Sequence, residues 1–203
     1  MIIARVAAAI FCAALGLAPP GPAHAQPFEG RAALLVADPD LGTDPIYARS
    51  VLLVAAGPNG FHIGLIINRP TERSLASLFP AHAPSRGVKT NVYFGGPMSG
   101  NVLVALVRRD HSPGRQALAL TEGLYLAFAS ETVDSVIEAT PDDARFFVGM
   151  VIWQPGELEE ELKRGFWTVR DPELRQVFRT DPEEMWMEFQ QRRRGLSARL
   201  QQP

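Results

Sequence analysis

Reactive side chains are sparse in this chain, and most stand where ordinary structure would put them. His62, His82 and His111 form neither a His-x-His nor a His-x-x-x-His pair, so no two imidazoles share a face and a metal centre has little support. Ser99 needs a base to act as a nucleophile, and His111 is the candidate. The residues around Ser99 do not form a Gly-x-Ser-x-Gly elbow, and His111 stands among Arg109, Asp110 and Ser112. A structural turn is therefore the default there, and a small serine hydrolase the alternative. Gly95 and Gly96 before Pro97 let backbone approach a ligand or another strand closely, and can turn free N–H groups toward an anion. Gly57–Gly60 with Gly64 has the glycines of a phosphate cradle but no Lys-Ser/Thr and no following helix, so it reads as a hairpin turn.

Charged and aromatic clusters read the same way. Glu157, Glu159, Glu160 and Glu161 can gather a cation, but more simply they stabilise a helix N-terminus. Arg192, Arg193, Arg194 and Arg199 suit either an anionic surface or a solvated helix end. Trp153, Trp167 and Trp186 are large enough to close a core. No residue set here calls for a cofactor.

The elements that must position these residues alternate between strands and short helices. Ala32–Ala37 and Val51–Ala56 are continuous apolar runs bounded by turn residues, the pattern of strands buried on both faces. Ile63–Ile67 completes a hairpin, and Asn68, Arg69 and Pro70 end it, because proline has no N–H for a ladder. Thr71 is read as the cap of a helix over Glu72–Phe79, followed by an exposed loop over Pro80–Lys89. Val92–Phe94, Val102–Val107, Ala117–Leu120 and Leu124–Ala129 read as strands. Thr132–Ala139 is an amphipathic helix, and Phe146–Trp153, the most apolar run after the N-terminus, is the central strand. Glu157–Arg164 is a helix stopped by Gly165. Asp171 and Asp181 are read as caps before prolines, the second opening a helix over Glu183–Arg194 that Gly195 ends, with Leu196–Pro203 as a frayed tail. Frequent hairpins favour α+β over a doubly wound sheet.

The N-terminus carries an address. Arg5 precedes an apolar run over Val6–Ala18, then Pro19, Pro20, Gly21 and Pro22, then Ala23, His24 and Ala25. That layout is a secretory signal peptide over residues 1–25 with cleavage after Ala25, and its apolar run is too short to span a membrane. Cys12 would leave with it, so a mature chain beginning at Gln26 holds no thiol and folds in the periplasm on its core alone. At 203 residues with 46% hydrophobic side chains the chain has material for one domain. The formal charge of −2 lacks the positive field that drives phosphate-backbone binding, and with export it argues against a nucleic-acid partner.

Four motifs in order resemble the AlgH/YqgE family of bacterial proteins. They are Ser50–Leu53 with Gly64–Pro70, Gly95–Pro97, the set Gly149, Trp153, Gly156, Leu158, Glu159, Glu161 and Trp167, and Phe178–Thr180 with Trp186. The resemblance covers roughly residues 30–189, and it implies a single compact α+β domain over residues 26–195 with a branched mixed sheet, a partly closed barrel-like core, and surrounding helices. It implies little about activity: some members are described as regulators of transcription, and no catalytic apparatus or cofactor is established. Carried over residue by residue, it places any site around Asn68, Arg69, Pro70, Gly95, Gly96, Pro97 and Trp153.

Departures from the family pattern bear on that site. Gly57 stands where members often have His, Met150 where many have Tyr, and Ser99–Leu106 replaces a stretch that often carries Arg and His. Each change removes a polar or ionisable group, so the site is reduced or turned to another use. Members usually lack an export signal, so a cytosolic regulatory role does not transfer. The expectation is an exported, non-catalytic binding or accessory protein. Its Asn68–Pro70 and Gly95–Pro97 loops would line a groove for a peptide or small polar ligand, Arg69 pairing with a carboxylate.

Overall fold

The computed structural model describes residues 32–200, with side chains to residue 195; the expected leader, Cys12 and the end of the tail lie outside the described residues. Ten strands and five α-helices follow in order: β1 (Ala33–Ala37), β2 (Val51–Ala56), β3 (His62–Ile66), β4 (Pro70–Ser74), α1 (Leu75–Leu78), β5 (Asn91–Phe94), β6 (Met98–Arg108), β7 (Ala117–Thr121), β8 (Leu124–Ala127), α2 (Ser130–Ala139), β9 (Ala144–Trp153), α3 (Glu157–Lys163), β10 (Trp167–Arg170), α4 (Leu174–Val177) and α5 (Met185–Leu200). The strands form one curled sheet in the order β10-β1-β2-β3-β9-β6-β8-β7, with β5 and β4 as a side branch. The architecture is the expected α+β half-barrel. Among the described residues no helix is long and apolar enough to cross a membrane.

Strand β9 is the hub, as its apolar run suggests. One edge carries β6; the other carries β5 in parallel through Phe147 and Val148, then β3 antiparallel through Val151–Trp153. The change of partner falls at Gly149. Before it, Ala144, Phe146 and Val148 face α1 and α2, while Phe147 faces the inside of the curl; after it, Met150 and Ile152 take the inner face. A one-residue bulge shifts the phase, and Gly149 supplies it with φ +73°. A side chain at Gly149 would lie 2.2 Å from the Gly96 carbonyl oxygen, and one at Gly95 would lie 2.2 Å from that of Gly149. Backbone crosses backbone here, and only glycine fits.

β1 and β2 are buried on both faces as their composition requires: Leu34, Val36, Val51 and Leu53 point inward, while Leu35, Ala37, Leu52 and Val54 point outward under α3 and Trp167. The inner face is closed by Val177 from α4 and by Met185 and Phe189 from α5. Arg145 on β9 is buried beside this layer with no carboxylate partner among the described residues. Its guanidinium donates to the carbonyls of Val177 (2.6 Å) and Arg179, and lies over Tyr93 and Phe178.

Several local expectations are corrected. Pro70 does not end pairing: it opens β4 opposite Tyr93, and Thr71 donates its hydroxyl to the Val92 carbonyl at 2.6 Å instead of capping a helix. The helix expected over Glu72–Phe79 shrinks to the single turn α1, capped by Ser74. The Pro80–Lys89 loop is not wholly exposed, since a 3-10 turn at Ala83–Gly87 buries Ser85 and the following Val88 packs into the outer core. Neither Asp171 nor Asp181 caps a helix with its side chain: Glu173 precedes α4, and the Asp181 carboxylate accepts from Arg179. Gly195 does not end α5, which runs on to Leu200.

Candidate functional site

Asn68 and Arg69 follow β3 and reach back across the hairpin to the segment before β2. Asn68 is buried, and its amide is spent at both ends: Oδ1 accepts from the Val51 N–H at 2.8 Å and Nδ2 donates to the Arg49 carbonyl at 2.9 Å. This fixes Arg49 in the left-handed region, at φ +58°, where a non-glycine residue is uncommon. Arg69 lies alongside. Its Nη2 donates to the Ala48 carbonyl at 3.3 Å, a long bond, and its guanidinium sits 5.9 Å from the Phe94 ring centre. Burial pushes its pKa below the usual arginine value, and the negative charge of Asp44 opposes that only in part. The Asp44 carboxylate already serves structure, accepting from the N–H groups of Ile46 (2.8 Å) and Tyr47 (2.6 Å).

Each expected loop is hydrogen-bonded to the segment that precedes the other. The Phe94 N–H donates to the Arg69 carbonyl at 3.0 Å, and the Ile66 N–H donates to that of Gly95 at 2.9 Å. Within the glycine pair, the freedom to approach closely serves the protein's own strand. Gly95 and Gly96 are buried against Gly149–Val151, and the Gly95 N–H donates to Val148. Arg69 and Pro70 stay partly accessible, and Pro97 is exposed.

Trp153 belongs to a different environment. It is 3% exposed and covers Gly64 of the neighbouring strand, where a side chain would meet the indole at 2.7 Å. Its Nε1 donates to Glu161 Oε2 at 2.9 Å, and Trp167 Nε1 donates to the same oxygen at 2.7 Å. Tyr47 packs edge-on against Trp167, with burial and then the charge of Glu161 raising its phenol pKa. Glu161 enters the sequence reading as a candidate for a cation, and the structure gives it to two indoles instead; Tyr47 and Arg49 carry no such signal, Arg49 being tied to Asn68 across the hairpin.

The remaining candidates separate. Ser99, exposed with φ +55°, is the second residue of β6, while His111 lies beyond the other end of that strand. By the β6–β9 register, in which Met98 faces Met150 and Val107 faces Ala144, they are roughly 20 Å apart. His82 shares a 2.8 Å hydrogen bond with Ser85. His62 is fully buried opposite Trp153, its pKa lowered by burial with Glu159 opposing. His111, the base expected for Ser99, is out of hydrogen-bond reach, and that nucleophile–base pairing fails. The glutamates of α3 also diverge: Glu157 accepts from the Gln154 N–H, Glu160 pairs with Lys163, and Glu161 holds the indoles. Asp181, Glu184 and Glu188 approach one another, but the Arg179 guanidinium bonds two of them. Arg193, from the basic run, pairs with Asp38 at 2.7 Å.

Known proteins match along nearly the whole fold. A UPF0301 protein of Streptomyces coelicolor is 32% identical over 166 residues, covering 80% of this chain and 86% of that protein. One from Cytophaga hutchinsonii is 27% identical over 156 residues, covering 75% and 84%. The solution structure of the AlgH protein from Pseudomonas aeruginosa aligns with a TM-score of 0.67 at 25% identity, over 85% of this chain and 93% of that one. The crystal structure of protein DIP2367 from Corynebacterium diphtheriae aligns at 0.65 with 20% identity, over 80% and 86%, and shows the same fold. The AlgH-like family profile matches residues 34–197, and this chain belongs to that family.

Proposed function

We propose that the chain is an exported, non-catalytic binding or accessory protein, whose Arg69 takes the carboxylate of a peptide or small polar ligand between the Asn68–Pro70 and Gly95–Pro97 loops. The observation that carries this reading is the state of Arg69. It is half-buried with its guanidinium 5.9 Å from the Phe94 ring centre, and among the described residues it has a single 3.3 Å hydrogen bond and forms no ion pair. A guanidinium offers five donors in a planar fork, so most of this one's capacity is unspent. Export rests on the sequence of residues 1–25.

The test is an amide NMR titration with tetra-alanine, whose C-terminal carboxylate is its only negative charge. Amides of Arg69, Phe94 and Gly96 shift in the native protein, and Arg69→Met abolishes the shifts. Persistence of the shifts in Arg69→Met overturns the reading. Fusing residues 1–30 to a reporter active only outside the cytoplasm tests export, and a silent reporter refutes it. Gene control, the alternative, predicts salt-dependent affinity for duplex DNA, so such binding at low salt would favour it instead.

A further inference from the structure

The Gly57–Gly60 stretch, which the proposed function leaves unused, carries a reactive pair at its tip. β2 and β3 pair as far as Ala56 with His62. Between them the Gly57 N–H donates to the Phe61 carbonyl at 2.8 Å and the Phe61 N–H to the Pro58 carbonyl at 3.3 Å, a long bond. Asn59 is exposed in this turn, in the left-handed region at φ +58° and ψ +28°, and Gly60 follows at φ +78°. The backbone nitrogen after an asparagine can attack the side-chain carbonyl carbon, closing a cyclic imide. A side chain on the following residue crowds that ring, and glycine has none. At ψ +28° the Gly60 nitrogen lies across the Cα–C bond from the Asn59 Cβ, so the peptide must swing about ψ before it reacts. The tip permits the swing, because Pro58 and Asn59 are exposed and Gly60 brings no Cβ to clash. The molecule holds its own controls: of its four asparagines, only Asn59 precedes glycine. Asn68 is buried with both ends of its amide bonded. Asn91 and Asn101 are exposed like Asn59, but they stand in β5 and β6 before Val92 and Val102, whose branched side chains crowd the attacking nitrogen.

We infer that Asn59–Gly60 is a self-modification site, where the chain converts Asn59 through a cyclic imide into an aspartyl or isoaspartyl residue and adds a negative charge to the β2–β3 tip. In the first step the Gly60 nitrogen bonds to the Asn59 Cγ, the Cγ–Nδ2 bond breaks, and the Gly60 amide proton leaves with the amine as ammonia. In the second, water adds to the imide, one C–N bond breaks, and the freed nitrogen takes back a proton. Opening at the side-chain carbonyl restores the ordinary backbone. Opening at the main-chain carbonyl leaves an isoaspartyl link with an extra backbone carbon. Water is the sole co-reactant. This chemical lability of asparagine is the reason it is scarce in proteins that must survive heat.

The test ages the folded native protein in warm, mildly alkaline buffer, beside Asn59→Gln and a free peptide of residues 56–62, and maps each by digestion and mass spectrometry. Position 59 of the native chain gains about one mass unit, the exchange of NH2 for OH, and the intact protein becomes more acidic on isoelectric focusing. Conversion there runs about tenfold or more faster than at Asn91 and Asn101. It speeds up as pH rises, because the attacking amide must lose its proton. Asn59→Gln, whose ring would be one atom larger, keeps its mass at that position. If the peptide converts while the folded chain does not, the turn holds the pair apart and the inference fails. Conversion at Asn91 or Asn101 as fast as at Asn59 overturns it as well.

Discussion

Two polar groups of the molecule are opposites. At one, the indole N–H groups of Trp153 and Trp167 converge on a single oxygen of Glu161. At the other, Arg69 has one long hydrogen bond to the Ala48 carbonyl and no carboxylate hydrogen-bonded to it among the described residues. The first pair is buried, and its donors are matched inside the protein, as burial demands. The second is partly accessible, and under the proposed function its match comes from a ligand. The difference would separate a residue kept for the fold from one kept for a partner. Trp153, expected at the ligand groove, has the environment of the first kind, and Arg69 is proposed for the second.

The largest effect that would sharpen this contrast is at Trp153. Trp153→Ala removes a buried indole over Gly64 and should cost about 3–5 kcal/mol in chemical denaturation. The surviving folded fraction should bind tetra-alanine as before. Loss of that binding without loss of stability would place Trp153 in the ligand groove and break the contrast.

Glu161 comes next. Glu161→Leu leaves two indole N–H groups without their acceptor, and should cost about 2–3 kcal/mol. Glu161→Gln keeps a carbonyl oxygen at the same reach and should cost about 1 kcal/mol or less. Equal costs for the two variants would show that the acceptor is not what holds the indoles.

The legible parts of the molecule were those written in local composition. The apolar runs of β1, β2 and β9 require burial wherever they pair, and the glycine pair at Gly95 and Gly96 could be read as a close approach to a ligand or a strand; the structure shows the strand. What escaped was set by distant partners. Residues 70–74 have no apolar alternation, and they become β4 because β5 offers them an edge and Val92 accepts the Thr71 hydroxyl. Gly195 looked like a stop, but a helix stops at glycine only where the chain turns into the left-handed region, and α5 continues instead. Within the candidate site, Asn68 and Arg69 were visible as a motif, whereas the hold of Asn68 on Val51 and Arg49 is made across the hairpin and no single segment encodes it.

The smallest effect carries the finest discrimination. Removing a charge that serves the fold costs stability, whereas removing an exposed charge that forms no ion pair among the described residues changes little. Arg49→Asn, which keeps a residue that tolerates the left-handed conformation, should therefore leave stability within about 0.5 kcal/mol of the native protein. Melting curves of the two proteins read the difference. If Arg49→Asn is less stable than the native protein by more than about 1 kcal/mol, Arg49 belongs with Trp153 among the residues kept for the fold.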